Sequence, residues 1–252
     1  MRPKGVPVAL ARLAASLIGL LLFMAPAMAG DRAQLNVLGY SEDSRYFAFE
    51  EFGVRDGSGG NYSHLYVVDL STDSWVDGTP FLTDQGGDTD DVAPGLAAIR
   101  AKTMGLAAPV LTALKIDVPV TTLVLLGDGV SGADGKTMTT SIPSCCGPGD
   151  TDPASTLSLT LTTFAAKSAI DCPVDEAFGY VLTATLADGS SHELHRDGDV
   201  LPKSRSCPQD YRLYGVFAPF EQVSPRVALI STYPFDFEGT SRRFLAVPVD
   251  TP

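Results

Sequence analysis

Basic residues are scarce in this sequence. It contains 18 Lys and Arg against 30 Asp and Glu, and three of the basic residues lie before residue 30. From residue 30 onward, 15 basic residues face 30 acidic ones, which gives a formal charge of −15. Such a chain repels phosphate-rich surfaces, because it has no surplus of cations to displace phosphate counterions. We expect neither nucleic acid nor anionic lipid as a partner.

Long apolar runs are missing after the first 29 residues. A basic start, an apolar run at residues 13–23 and the small-x-small motif Ala27-Met28-Ala29 together predict a signal peptide at residues 1–29. No later segment reaches the ~20 apolar residues that a membrane-spanning helix needs. We therefore expect a periplasmic or secreted protein with one domain, residues 30–252, and no membrane span after cleavage.

Cysteine occurs four times, and an exported protein meets an oxidising compartment, so we expect disulfides. Four cysteines allow three pairings. We favour Cys172 with Cys207, which leaves Cys145 and Cys146 as neighbours. Adjacent cysteines bond only through a strained ring, so the alternatives are that Cys145 and Cys146 are free, or that they pair one each with Cys172 and Cys207. The acidic sequence around Cys145 offers no base to lower a thiol pKa, which favours a structural role.

Histidine is rarer still, with only His64, His192 and His195. His192 and His195 fall on a predicted strand, where a separation of three places side chains on opposite faces. This spacing argues against a shared zinc ion and favours exposed polar residues.

Motifs for hydrolysis are also absent. The Gly-rich segments 56–60 and 129–132 lack the Gly-x-Ser-x-Gly spacing of a nucleophile elbow. Glu50 and Glu51 are neighbours in a strand and face opposite ways, so they cannot act together as the carboxylate pair of a glycosidase. No catalytic residue is predicted.

Two acidic loops could supply the oxygen ligands that calcium prefers. Neither has the spacing of an EF-hand loop, and a solvated acidic loop is the other interpretation. No cofactor is predicted beyond this possible ion. The candidate ligands are Asp84, Asp88, Asp90 and Asp91 in one loop, and Asp128 and Asp134 in the other.

Two apolar, aromatic and β-branched runs, 46–52 and 65–70, flank a segment rich in Gly, Asp, Ser and Asn. This pattern predicts a β-hairpin. Residues Tyr46 to Phe49 continue without a polar break, so we expect both faces of the first strand to be covered.

One helix is predicted in the remainder of the chain. Apolar residues recur every three to four positions from Leu96 to Leu114, and Gly105 and Pro109 predict a kink or two short helices. The later segments alternate at the period of a strand. The predicted fold is mainly β: a single-domain β-sandwich or open barrel of about nine or ten strands, with one helical segment packed on it.

Aromatic and basic residues meet near the C-terminus, in YPFDFEGTSRRF. One interpretation is an exposed binding edge with Phe235, Phe237, Arg242 and Arg243 as anchors. The other is a strand packed through its two phenylalanines, with an ion pair at the turn.

Three ordered segments resemble an uncharacterised family of predicted secreted proteins of Gram-negative bacteria, a domain of unknown function. They are RYFAFEEFGVRDGSG with YSHLYVVDLSTDSWV, then DGDVLPKSRSCPQDY, and PFDFEGTSRRFLAVPV. The resemblance covers nearly all of the chain after residue 29. It implies export and a shared fold, and it supplies no catalytic residues.

Two functions remain open. We favour a non-enzymatic binding or envelope-associated module whose partner is a protein or small ligand of the cell envelope. The alternative is a periplasmic hydrolase with an active site assembled from residues distant in sequence. An enzyme needs titratable groups that converge in a concave pocket, whereas a binding module needs only an exposed apolar or aromatic patch.

Overall fold

The computed structural model describes residues 30–85, 94–127, 134–143 and 151–249. These residues form sixteen strands, one α-helix and a 3-10 turn. The elements are β1 Gln34–Ser41, β2 Tyr46–Val54, β3 Asn61–Asp69, β4 Ser74–Trp75, β5 Phe81–Asp84, α1 Leu96–Ala113, β6 Ile116–Val118, β7 Val120–Leu125, β8 Thr137–Pro143, β9 Thr151–Ser168, β10 Ala177–Leu186, β11 Ser191–Arg196, β12 Val200–Leu201, the turn Lys203–Arg205, β13 Pro208–Pro219, β14 Val227–Asp236, β15 Gly239–Thr240 and β16 Arg243–Pro248.

The first sheet has the strand order β4-β3-β2-β1-β6, and β5 also pairs with β3. The predicted hairpin forms its centre: β2 and β3 are antiparallel and in register from Tyr46 opposite Asp69 to Val54 opposite Asn61. The hairpin prediction is therefore confirmed, although both strands extend further toward the loop than the apolar runs indicated.

Two further sheets follow along the chain. The middle sheet has the order β15-β14-β13-β7, with β16 also paired to β14. The third sheet has the order β11-β10-β9-β12, with β8 also paired to β9. Pro119 separates β6 from β7, so that one short stretch of chain leaves the first sheet and enters the middle sheet.

The three sheets and the helix stack in layers. Between the first and middle sheets, Phe47 and Phe49 pack against Phe217 and Leu229. Between the middle and third sheets, leucines and aromatics of β9 and β10 pack against β13 and β14. Strand β14 is accordingly buried at each of its first eight residues, which is the pattern of a strand covered on both faces.

The helix covers the outer face of the first sheet. Ala107 of the helix packs on Ala48, Leu65 and Val67, while Phe47 and Phe49 face the middle sheet. Strand β2 is thus covered on both faces, as its unbroken aromatic run predicted.

Helix α1 is one continuous helix, not two short ones, and Pro109 lies inside it. Proline removes the hydrogen bond to the carbonyl four residues earlier, here that of Gly105. Both residues are exposed, so water can reach the freed carbonyl, which explains why the helix continues through Pro109.

The prediction of a mainly β fold with one packed helix is confirmed. The described residues contain more strands than the nine or ten expected, and five of the sixteen have four residues or fewer. Such short strands carry no period-two pattern of their own, because a pattern needs several residues to be visible.

Candidate functional site

A cleft of about 710 Å³ opens at one side of the stack. The middle sheet ends there at β16, which pairs with β14 on one side and has no strand neighbour on the other within the described ranges. Strands β3, β4 and β5 of the first sheet and β11 of the third sheet contribute to its two walls. The residues that matter below are Glu51, His64, Tyr66, Asp73, Trp75, His195, Arg205, Arg243 and Ala246.

The first wall carries a buried carboxylate. Glu51 is 1 % exposed, and it accepts hydrogen bonds from the Tyr66 hydroxyl at 2.9 Å and from the Phe244 backbone N–H at 3.1 Å. Burial and the neighbouring carboxylate raise the pKa of Tyr66 well above its usual value, so its hydroxyl remains a donor. Glu50, which precedes Glu51 in β2, faces the helix and binds Arg100. This confirms that Glu50 and Glu51 point in opposite directions.

His64 continues this network outward from Glu51. Its Nδ1 lies 3.5 Å from a Glu51 oxygen, and its Nε2 lies 3.0 Å from Asp84. Burial opposes ionisation of Asp84, but hydrogen bonds from Arg55 and His64 outweigh it and lower the pKa of the carboxyl. Both ring nitrogens of His64 therefore face carboxylates of the protein.

Arginines hold the far side of this wall. The guanidinium of Arg243 lies 3.8 Å from Glu51 and 3.7 Å from Asp31. It also stands over the ring of Tyr62, 4.7 Å from the centroid, and Arg55 stands over the same ring at 4.2 Å. Each buried carboxylate of this region thus has a cation close by, which is the condition for keeping it charged.

The opposite wall carries His195. Its Nδ1 lies 3.1 Å from Asp73 and its Nε2 lies 3.2 Å from Asp197. Burial lowers the pKa of His195, but the hydrogen bonds with Asp197 and Asp73 outweigh burial and raise the pKa to about 9. Asp197 is also bound by Arg205, at 3.1 Å. The imidazole is therefore protonated at neutral pH.

The pairing of β10 with β11 explains how His195 reaches the cleft. The register shifts at Leu182 and Thr183, so that His192 lies opposite Ala184 and His195 opposite Leu182. This bulge adds one residue, and the expectation that the two histidines lie on opposite faces is wrong for that reason. His192 stays exposed, whereas the predicted exposure of His195 is wrong because Asp73 and Asp197 hold it in the wall.

Aromatic rings line the space between the charged groups. Phe49 stacks on Tyr66 with centroids 5.0 Å apart, and Tyr66 contacts Trp75 at 5.5 Å. Trp75 is 43 % exposed and faces the cleft. An exposed tryptophan beside charged groups is the composition of a recognition surface.

The predicted binding edge is only partly brought together. Phe235 and Arg243 line the cleft. Phe237 is 90 % exposed and does not, although its ring contacts Phe235 at 5.8 Å. Arg242 instead binds the backbone carbonyl of Ala33.

The structure contains the predicted disulfide between Cys172 and Cys207. Cys207 lies two residues after Arg205, the last residue of the turn that lines the cleft, so the bridge anchors that turn. Cys145 and Cys146 lie outside the described residues.

Two of the calcium candidates, Asp84 and Asp134, lie within the described residues. Asp84 is bound to Arg55 and His64, and Asp134 accepts the backbone N–H of Lys136. Asp88, Asp90, Asp91 and Asp128 lie outside the described residues. In the part of the chain that the structure describes, no three His, Cys, Asp or Glu side chains are grouped to hold a metal ion, and no helix there is long and apolar enough to cross a membrane.

Sequence reasoning missed most of this cleft. One signal in the sequence pointed to Glu51: it is a carboxylate inside a strand that we expected to be buried on both faces. Charged residues are buried only when paired, so a partner for Glu51 was to be expected. No local signal pointed to Asp73 and His195, which are 122 residues apart in the chain.

The sequence matches the model of a protein family. The model of the family described as "Predicted secreted protein (DUF2259)" matches residues 48–250, and so includes both walls of the cleft. No curated protein matches the sequence.

Proposed function

Because the chain belongs to this family of predicted secreted proteins, it is exported, and we propose that it is a non-enzymatic binding module of the cell envelope whose ligand occupies the cleft. The proposal takes residues 1–29 as a removed signal peptide and residues 30–252 as one domain. The observation that carries it is the pairing of the cleft's histidines: all four ring nitrogens of His64 and His195 already face carboxylates of the protein.

This pairing is unfavourable for catalysis. The titratable groups do converge in one concave space, as an enzyme requires, but a general base needs a free nitrogen and a pKa near the working pH. His195 is protonated at neutral pH and both its nitrogens are engaged. Glu51 is buried against Tyr66 and a backbone N–H of β16. These groups hold the walls of the cleft together.

Recognition is favoured by the aromatic surface that these charges surround. Trp75 and Leu82 are 43 % and 55 % exposed and both face the cleft. The volume of the cleft lies within the range of about 300–1,000 Å³ that is typical of small-ligand sites. The partner we propose is therefore a small ligand or short segment of a protein in the envelope, without phosphate-rich surfaces because the chain is acidic.

Trp75 allows a direct test, because it is the only tryptophan in the chain. We would titrate the protein with amino acids, uncharged peptides, sugars and cell-wall fragments, and follow the emission of Trp75. A ligand of the cleft should shift that emission and raise the melting temperature.

Ser204 and Thr112 provide the matched variants. Both are exposed, but Ser204 lines the cleft whereas Thr112 lies on the helix. Ser204→Tyr fills part of the cleft and should weaken binding by about tenfold or more, which corresponds to a loss of ~1.4 kcal/mol in binding free energy. Thr112→Tyr should leave Kd unchanged. Equal affinity in all three proteins would place the ligand elsewhere and refute the cleft as the site.

A hydrolase is the second candidate, favoured by one observation: Glu51, His64 and Asp84 form a continuous carboxylate–imidazole–carboxylate row, and Glu51 and His64 line the cleft. Chromogenic esters, peptides and glycosides would test it. Turnover that disappears in His64→Gln and survives in His192→Gln would replace the binding proposal, since His192 is exposed and outside the cleft.

A further inference from the structure

The outer edge of β16 and of the residue before it has three parts: one pairs with backbone, one pairs with a side chain, and one has no neighbouring strand within the described residues. In an antiparallel strand, the N–H and C=O groups of alternate residues point to the same side. The backbone N–H and carbonyl of Arg242, just before β16, point outward and pair with the N-terminal segment. The Arg242 N–H donates to the Asp31 carbonyl at 2.7 Å, and the Ala33 N–H donates to the Arg242 carbonyl at 3.4 Å. This edge therefore accepts another backbone within the protein itself.

Phe244 is the next outward residue, and there a side chain replaces the neighbouring strand. Its N–H donates to a carboxylate oxygen of Glu51 at 3.1 Å. The inward positions are confirmed at the other end of the strand, where the Val249 N–H donates to the Arg226 carbonyl beside β14. The alternation along β16 is thus fixed at both ends.

Ala246 is the following outward residue, and no strand lies beside it within the described residues. It is half-buried and lines the cleft. Pro248, the next outward position, has no N–H to donate. The open part of the edge is therefore short: it offers the N–H of Ala246 and the carbonyl groups of Phe244 and Ala246.

The walls of the cleft leave room for one more strand beside β16. The middle sheet ends at β16, and residues of β3, β4 and β5 on one side and of β11 on the other line the cleft beside it. A further strand would lie about 4.8 Å from β16. Phe49, Val68 and Trp75 lie on the wall of the first sheet, where alternate side chains of such a strand would pack.

The charges of the cleft indicate what such a strand would carry. The carboxylates of Glu51, Asp73 and Asp236 are matched by the cations of Arg205, Arg243 and His195, all of which line the cleft. The chain as a whole has a net charge of −12, so this neutral lining differs from the rest of the protein. A neutral lining complements a segment without net charge.

We propose that the cleft binds an uncharged peptide segment in extended conformation, which adds a strand to the middle sheet by pairing with β16 at Ala246. The ligand class rests on the proposed function, because it assumes that the cleft is a binding site. Backbone pairing supplies the affinity, and apolar side chains at alternate positions pack on the first sheet.

Ala246→Pro tests the pairing. It removes the N–H that points into the cleft and leaves the bonds to β14 intact, and proline is tolerated at outward positions of an edge strand. Ala246→Ser keeps the N–H and is the matched control. The probe is a phage-displayed library of uncharged heptapeptides selected on the wild-type protein, and the selected peptides are measured by calorimetry.

The loss of this one hydrogen bond should weaken binding to Ala246→Pro by about fivefold to tenfold, and the affinity of Ala246→Ser should stay within about twofold of the wild type. A second measurement needs no variant: the peptide should slow hydrogen exchange at the Ala246 amide. Only every second N–H of a bound peptide would face β16. Methylation of those nitrogens should weaken binding, whereas methylation of the nitrogens between them should not.

Two results would overturn the proposal. Equal affinity for Ala246→Pro and Ala246→Ser, without protection of the Ala246 amide, would exclude strand pairing; if Ser204→Tyr still weakened such binding, the cleft would remain the site and the proposed function would stand. Concentration-dependent dimerisation abolished by Ala246→Pro would instead show that a second copy of this chain occupies the edge.

Discussion

His195 and Asp73 join the first and third sheets across the mouth of the cleft, with 3.1 Å between Nδ1 of the imidazole and a carboxylate oxygen. Asp73 belongs to the turn between β3 and β4, and His195 to β11. The imidazole is also held by Asp197 on its own side, at 3.2 Å. One protonated ring therefore connects two sheets that pack mainly on the middle sheet and not on each other.

This bridge predicts a loss of stability at alkaline pH. The pKa of His195 rises from its ordinary 6.5 to about 9 on folding. Its contribution is therefore complete below pH 6.5 and disappears as the pH rises through 9. We expect His195→Gln to lower the free energy of unfolding by about 2 kcal/mol at pH 6, after allowance for partial exposure. In urea titrations, the free energy of unfolding of this variant should also decline less than that of the wild type between pH 6 and pH 9.5.

His192→Gln is the control for this prediction, because His192 lies on the same strand and is exposed. It should keep the wild-type stability and the wild-type dependence on pH. If the free energy of unfolding of His195→Gln declined with pH as steeply as that of the wild type, the loss of stability at alkaline pH would arise from other groups.

Arg100 and Glu50 predict a second effect, on the attachment of the helix. Arg100 donates two hydrogen bonds to the buried Glu50, at 2.9 and 2.7 Å. Arg100→Met keeps the aliphatic stem but leaves the carboxylate without its cation, and we expect a loss of about 2–3 kcal/mol in urea unfolding at pH 7. The loss should shrink toward pH 4, where the unpaired Glu50 becomes protonated.

Lys115→Met serves as the comparison for Arg100→Met. Lys115 also pairs with a glutamate, Glu42, but both side chains are about two-thirds exposed, and exposed pairs contribute little. The unfolding midpoint should not change measurably. Equal effects of the two variants would mean that the burial of Glu50 is unimportant.

Removal of the Cys172–Cys207 bridge should destabilise the whole chain. It closes a loop with a sequence separation of 35, and the chain-entropy model gives about 4 kcal/mol for a loop of this size. We expect the double variant Cys172→Ser/Cys207→Ser to lose most of this in non-reducing urea titrations. The wild type treated with a reducing agent should match it, whereas an unchanged midpoint would contradict the prediction.

Two glycines predict opposite effects of the same substitution. Gly39 has φ +138°, and a Cβ there would lie 2.3 Å from the Val118 carbonyl oxygen, so Gly39→Ala should cost about 2 kcal/mol or more. Gly105 lies in the exposed part of the helix with nothing within 4 Å of its Cβ position, so Gly105→Ala should stabilise by about 0.5–1 kcal/mol. Thermal unfolding of both variants distinguishes the signs.

The parts of the fold that were predicted correctly rest on local patterns. The aromatic run of β2 and the turn residues after it are contiguous, so the hairpin and its burial on both faces could be read directly. The helix was visible from its apolar spacing over 18 residues. The spacing of the cysteines alone left three pairings open, and the structure shows which one occurs for Cys172.

The cleft could not be predicted, because strands from three different sheets line it. Its position depends on β16, the last strand of the middle sheet, and on β3 and β11, which line the cleft on either side. The bulge that turns His195 toward the cleft involves one extra residue in β11, and hydrophobic alternation over so short a strand does not reveal it. Strands of two residues are equally invisible, since they form only when their partners are in place.

The pairing of Arg242 with the segment around Ala33 also affects how the chain folds. These backbones meet across 209 residues, and the middle sheet between them is assembled from the last third of the chain apart from β7. Contacts so distant in sequence form slowly, because the closure of each loop costs entropy before any contact rewards it. A chain still emerging from the ribosome or threading through a secretion channel therefore lacks the strands on which its earlier half must pack, and it remains pliable until its last segment arrives.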